Sequence, residues 1–108
     1  MLEPGIDRHE WEGEWDVLES SLEDDPAATL PDCDDLVARM LVARGYDLDD
    51  PVVREGEERE VVAEFVAARE VANAVGRAED VDPGDVADAV NAYRELYEFL
   101  LDNPGAAP

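Results

Sequence analysis

The chain has no lysine, one cysteine, one histidine and two serines among its 108 residues. The lone Cys33 excludes a disulfide within the chain and favours a reducing compartment. No apolar run approaches the roughly eighteen residues that a membrane-spanning helix requires. The first residues also lack the basic and apolar regions of a secretory signal. We therefore expect a cytoplasmic protein that does not enter the membrane.

The scarcity of nucleophiles and soft metal ligands argues against an enzyme. His9 is the only histidine, and Gly13 stands four residues later, where a zinc-protease helix motif has its second histidine. The Glu-x-x-His motif of di-iron bundles and the glycine-rich phosphate loop are also missing. Cys33 has three aspartates within two residues, and their charge opposes formation of a thiolate. We predict no catalytic residues, no metal and no cofactor.

Carboxylates are what the chain has in excess. Thirty Asp and Glu stand against eight arginines, which gives a formal net charge of -22. Direct binding of nucleic acid depends on clustered Lys and Arg, so this charge excludes it as a predicted function. The same charge favours a basic protein partner. The acidity also has an environmental explanation, because this composition is typical of a GC-rich genome and an acidic surface is typical of a halophile.

Helix caps and helix breakers punctuate the whole chain, and no segment alternates apolar and polar residues for long enough to predict a strand. Asp7, Thr29 and Asp82 are the predicted caps, and Gly45 is placed to end a helix. Gly13 is unfavourable inside the first helix by up to about 1 kcal/mol relative to alanine. The predicted helices are about Arg8–Glu23, about Pro31–Arg44 after a short turn at Asp25–Ala28, roughly Glu57–Arg77, and Pro83 to about Asp102.

Apolar side chains are numerous enough for one core. Thirteen Val, ten Leu and fifteen Ala argue against disorder despite the charge. The prediction is therefore an all-α protein, a single helical domain over residues 1–108 built as a bundle of about four helices. Residues 1–6 and 103–108 are expected to be flexible ends.

The arginines are predicted to form local ion pairs with carboxylates four residues away, each contributing about 0.2–0.5 kcal/mol. These pairs are Arg8–Glu12, Asp35–Arg39, Arg54–Glu58, Glu55–Arg59 and Arg94–Glu98. Arg69 is different, because it has no acid three or four residues away and has Asn73 one turn on. We favour an arginine whose stem packs at the edge of the core. The alternative is a polar link to another helix or a contact surface.

Trp11 and Trp15 share a helical stripe with Leu18 and Leu22, which favours core packing. Tryptophan is also enriched in binding hot spots. The candidate contact residues are therefore Trp11, Trp15, Arg69 and Asn73.

The function predicted from this sequence is a non-enzymatic protein-interaction or regulatory module, and a homodimer is compatible with it. The alternative is a nucleic-acid mimic that inhibits a basic nucleic-acid-binding protein. A mimic needs rows of carboxylates on one face. Here the charge is spread, with net -9 over residues 1–25 (ten carboxylates and one arginine) and net -5 over residues 81–108 (six carboxylates and one arginine).

Overall fold

Four α-helices make up the part of the chain that the computed structural model describes, which is residues 4–46 and 56–102 without the side chains of residues 4–7 and 56–58. No strand occurs within these ranges, so the predicted all-α bundle of four helices is confirmed. The helices are α1 (Pro4–Asp24), α2 (Pro26–Ala43), α3 (Gly56–Gly76) and α4 (Pro83–Asp102).

Two predicted helix starts are wrong. The first helix begins at Pro4, so Asp7 lies inside it; proline suits a first helical position because its φ is already helical. The second helix begins at Pro26, and its cap is Asp25, whose carboxylate accepts a hydrogen bond from the Ala28 N–H at 3.2 Å. Thr29 is therefore not a cap. Its hydroxyl donates to the Asp25 carbonyl at 2.8 Å inside the first turn.

The predicted turn and the second helix merge, although Pro31 lies within the helix. Proline lacks an N–H, so Pro31 removes a single helical hydrogen bond, the one to the carbonyl of Ala27 near the start of the helix. The predicted flexible end at residues 1–6 is shortened by the helical Pro4–Ile6. The remaining end residues and the pairs Arg54–Glu58 and Glu55–Arg59 lie outside the described part of the chain.

Both α2 and α3 end in a left-handed residue with paired backbone hydrogen bonds. Gly45 takes φ +91° after α2, and the Tyr46 N–H donates to the Leu41 carbonyl at 2.9 Å. Gly45 therefore ends the helix as predicted. After α3 the left-handed residue is Ala78, at φ +58°, and the Glu79 N–H donates to the Ala74 carbonyl at 3.0 Å.

Side chains form hydrogen bonds with backbone groups at both ends of α4. Asp82 is the cap as predicted, since its Oδ1 accepts from the Gly84 N–H at 2.7 Å. The last turn of α4 has no basic residue of its own. Arg44 Nε donates to the Leu100 carbonyl at 3.0 Å, and Arg8 Nη1 donates to the Leu101 carbonyl at 3.0 Å. Arg44, which follows α2, and Arg8 of α1 thus donate hydrogen bonds to the terminal carbonyls of α4.

The core lies among α2, α3 and α4, which pack against one another, and α1 packs on α2. Each fully buried aliphatic side chain stabilises the fold by about 1.5–3 kcal/mol. The largest fully buried side chains are those of Leu30, Cys33, Leu36, Val37, Met40, Leu41, Phe65, Tyr93, Leu96 and Leu100. Within the described ranges, none of the helices combines the length and apolarity needed to cross a membrane.

Candidate functional site

The boundary between α1 and α4 contains two cavities. The first has a volume of about 460 Å³ and lies where Leu22 of α1 meets the start of α4. The second has a volume of about 640 Å³ and lies between Gly13 and Tyr97. The Glu19–Arg94 ion pair joins the two helices, and Arg94 also lines the first cavity. We call the two cavities together the α1/α4 groove.

The first cavity, the apolar end of the groove, forms where the α1–α2 turn approaches the segment that begins α4. Its lining residues are Leu22, Asp25, Pro26, Ala27, Val81, Pro83, Val86, Ala87, Val90, Asn91 and Arg94. Most of these side chains are aliphatic, and Asp25, Asn91 and Arg94 supply polar groups at the edge. This combination suits an apolar side chain carried by a polar segment.

Arg94 binds Glu19 with two nitrogens. Its Nε and Nη2 donate to Oε1 of Glu19 at 3.0 and 2.9 Å. The predicted pair of Arg94 with Glu98 is therefore wrong. An exposed pair within one helix contributes only a few tenths of a kcal/mol, about 0.2–0.5, whereas a two-pronged guanidinium–carboxylate contact fixes the geometry of two helices.

The second cavity, the aromatic end of the groove, is lined by a stacked pair of rings and several polar residues. The rings of Trp15 and Tyr97 stack with their centroids 4.5 Å apart and their planes at 10°. The other lining residues are His9, Glu12, Gly13 and Asp16. Burial first, and then the charges of Glu12 and Asp16, raise the pKa of Tyr97 to about 12. The tyrosine is therefore neutral at physiological pH, and the carboxylates make the surroundings negative.

The two tryptophans face different neighbours. Trp15 is 6% exposed and belongs to the core, which confirms the favoured interpretation of that residue. Trp11 is half-buried against the core, with Arg39 Cζ 5.8 Å from the centre of its ring. Arg39 forms the predicted pair with Asp35 and a second pair with Glu14 of α1. Only Trp15 belongs to the α1/α4 groove.

Arg69 forms a polar link from α3 to α2, the alternative that we did not favour. Its Nε and Nη2 donate to Oδ1 of Asp34 at 3.2 and 3.0 Å, and its Cζ lies 4.6 Å from the centre of the Phe65 ring. Asn73 is exposed one turn further on α3. Arg69 and Asn73 both lie on α3, away from the α1/α4 groove. The four predicted contact residues therefore do not lie together in one site.

Sequence reasoning missed most of the groove. Glu19 and Arg94 are 75 residues apart, and no local spacing announces their contact. Val86 and Val90 resemble any other aliphatic residues of a helical stripe. One available signal was Gly13, a helix-disfavouring residue in the middle of a helix.

Metal-ligating groups and the single thiol are the two remaining features to locate. Among the described residues, no three of His, Cys, Asp or Glu are grouped so that they are able to hold a metal ion. Burial first, and then the charge of Asp32, raise the pKa of the Cys33 thiol to about 12, so the thiol is protonated at physiological pH. Compared with known proteins, the chain matches no family model, no curated protein and no solved structure.

Proposed function

We propose that this protein is a non-enzymatic interaction module that binds a basic, amphipathic segment of a partner protein in the α1/α4 groove. One observation carries the proposal: a largely aliphatic cavity of about 460 Å³ opens on a chain whose net charge is -22. Apolar contact supplies affinity in such a groove, and charge selects the partner.

The apolar end supplies the anchor site. Leu22, Val86 and Val90 are nearly buried but still line the cavity. A partner side chain of the size of leucine or phenylalanine gains about 1.5–3 kcal/mol when it is fully removed from water. The exposed Ala87 lies on the same wall, and its small side chain leaves this part of the cavity open.

The charge supplies the selection. Carboxylates exceed arginines throughout α1 and α4, the two helices that border the groove. Their field raises the local concentration of a cationic segment and repels an anionic one, and salt weakens both effects. A segment with apolar residues on one face and basic residues on the flanks matches both the cavity and the field.

An amphipathic leucine–lysine peptide and its leucine–glutamate counterpart provide the test. Amide chemical shifts of the isotope-labelled protein report where each peptide binds. We expect the lysine peptide to perturb residues of the apolar end, such as Val81 and Asn91, and the glutamate peptide to have no effect. Equal effects of the two peptides, or perturbations spread over α3 as much as over α4, contradict the proposal.

In the Ala87→Arg variant the introduced side chain occupies part of the groove. Ala63→Arg is the matched control. Both alanines are exposed, and both substitutions lower the net negative charge by one, but Ala63 lies on α3 away from the cavity. We expect Ala87→Arg to weaken binding of the lysine peptide by about tenfold, which is about 1.4 kcal/mol. Ala63→Arg is expected to change it less than about twofold. Equal losses mean that net charge alone governs binding.

Nucleic-acid mimicry remains the alternative proposal. Arg8, Arg39, Arg69 and Arg94, one on each helix, pair with carboxylates of α1 or α2, so they interrupt the rows of negative charge that a mimic requires. Heparin competes for the nucleic-acid site of the partner. If heparin releases the partner from this protein as effectively as it releases the partner from nucleic acid, the result favours the mimic. A partner that heparin does not displace, but the lysine peptide does, favours the groove.

A further inference from the structure

Gly13 stands in the interior of α1, where glycine stabilises a helix less than alanine does. A Cβ built on Gly13 meets nothing within 4 Å among the described residues. Its φ is not in the left-handed region, so backbone conformation does not require glycine either. Neither packing within the described structure nor backbone geometry explains the missing side chain.

The missing side chain keeps open the aromatic end of the α1/α4 groove. Gly13 lies between Glu12 and Asp16 on the α1 wall of this cavity, whose volume is about 640 Å³. The stacked rings of Trp15 and Tyr97 line the same space. A longer side chain at position 13 therefore occupies a space that two carboxylates and an aromatic pair border.

We propose that the aromatic end of the groove is a specificity pocket for an arginine side chain of the partner segment, an inference that rests on the proposed function. Arginine has an apolar stem and a planar guanidinium, which stacks on aromatic rings and donates several hydrogen bonds to carboxylates. Lysine presents a single, strongly hydrated charge and makes a less directional contact. The pocket chemistry therefore selects arginine over lysine.

The carboxylates retain capacity for such a ligand. Arg8 approaches Glu12 only to 3.7 Å, whereas Arg94 and Glu19 are 2.9 Å apart. Asp16 is exposed one turn from Glu12. The two carboxylates and the small exposed parts of Trp15 and Tyr97, 6% and 7%, border one space. A guanidinium binds carboxylates and contacts aromatic rings at the same time.

The two ends of the groove also set a spacing. Gly13 and Leu22 are nine residues apart on α1, which corresponds to about 13 Å along a helix. A helical segment that lies along the groove matches this distance when its apolar anchor and its arginine are eight residues apart, about 12 Å, because at nine residues the two side chains lie on opposite faces of the helix. This spacing distinguishes the pocket from a general attraction between opposite charges.

The experiment compares two leucine–lysine peptides that differ only in one Lys→Arg exchange, eight residues from the anchor leucine. Affinities are measured by titration calorimetry against the wild-type chain, Gly13→Gln and the control Gly76→Gln. Gln favours helix more than Gly does, so both variants are expected to melt at higher temperature than the wild type. Gly76 ends α3, and a Cβ there also meets nothing within 4 Å among the described residues.

We expect the arginine peptide to bind the wild type about tenfold more tightly than the lysine peptide, a preference worth about 1.4 kcal/mol. Gly13→Gln removes the preference, and Gly76→Gln keeps it. Equal affinities of the two peptides for the wild type, or an intact preference in Gly13→Gln, overturn the arginine pocket. If both peptides bind equally and Ala87→Arg still weakens them, the groove stands and the pocket fails. If neither peptide binds, both proposals fail.

Discussion

Tyr93 of α4 donates its hydroxyl hydrogen to Oδ2 of Asp34 on α2 at 2.8 Å. Arg69 of α3 binds the same carboxylate, so one side chain joins three helices. The Asp34 side chain is only 14% exposed. Burial first, and then the hydrogen bond to Asp34, raise the pKa of Tyr93 above its usual range, so the hydroxyl remains a donor. This network is a structural link within the bundle and lies apart from the α1/α4 groove.

Tyr93→Phe is expected to destabilise the protein by about 1.5–3 kcal/mol, because it removes a buried hydrogen bond to a charged group. Urea unfolding at neutral pH measures the change. In an Asp34→Ala background the acceptor is already gone, so the same substitution is expected to cost less than about 0.5 kcal/mol. Equal losses in the two backgrounds mean that the hydroxyl and the carboxylate do not interact.

Ala78→Gly is expected to stabilise the protein by about 1 kcal/mol. Ala78 holds a left-handed conformation, φ +58°, in which its Cβ is strained and glycine is not. Gly45 is the matched position at the end of α2, with φ +91°, so Gly45→Ala is expected to destabilise by a similar amount. Thermal melting of the two variants beside the wild type checks both signs. A loss of stability in Ala78→Gly contradicts this assignment of strain.

Trp15→Ala is expected to destabilise the protein by about 3–5 kcal/mol, the range for removing a large buried aromatic side chain. Trp11→Ala is expected to cost less, because Trp11 is half-buried and packs against the edge of the core. Urea unfolding compares the two, and Trp15→Phe and Trp11→Phe provide milder variants if an alanine variant does not fold. Equal losses at the two positions contradict the different roles that the structure gives them.

Glu64 of α3 and Glu95 of α4 form a carboxyl pair across the helix interface. Burial first, and then a hydrogen bond and the charge of Glu95, raise the pKa of Glu64 to about 7. The ordinary pKa is 4.5, so the unfolded chain releases this proton at lower pH than the folded chain does. Between pH 4.5 and about 7 the folded state therefore binds more protons, and this group lowers stability as pH rises through that window.

Glu64→Gln removes this pH dependence. We expect the unfolding free energies of the variant and the wild type to differ least near pH 4. As the pH rises to 8, the unfolding free energy of the variant is expected to increase relative to that of the wild type. Unfolding free energies measured across this range provide the comparison. Glu70→Gln is the control, because it removes one negative charge from an exposed position on the same helix. If Glu70→Gln shows the same pH-dependent gain, the effect belongs to net charge and not to the carboxyl pair.

Features that depend on neighbours in sequence were predictable. Asp82 and Pro83 begin α4, and Gly45 ends α2, because caps and left-handed glycines act within one helical turn. The pairs Arg8–Glu12 and Asp35–Arg39 form for the same reason, since one helix holds both partners at a fixed spacing. Where two local signals competed, at Asp25 and Thr29, the earlier cap is the one that forms, and Pro31 was accommodated within the helix.

By itself the sequence determined the helical class, the start of α4, the end of α2 and the strongly acidic character, because each follows from composition or from residues a few positions apart. Tertiary structure decided that Arg94 pairs with Glu19, that Arg69 reaches Asp34, and that two cavities lie where residues of α1 and α4 meet. These contacts join residues that are 35 or 75 positions apart. Their geometry depends on how whole helices pack around one core, which no local pattern specifies.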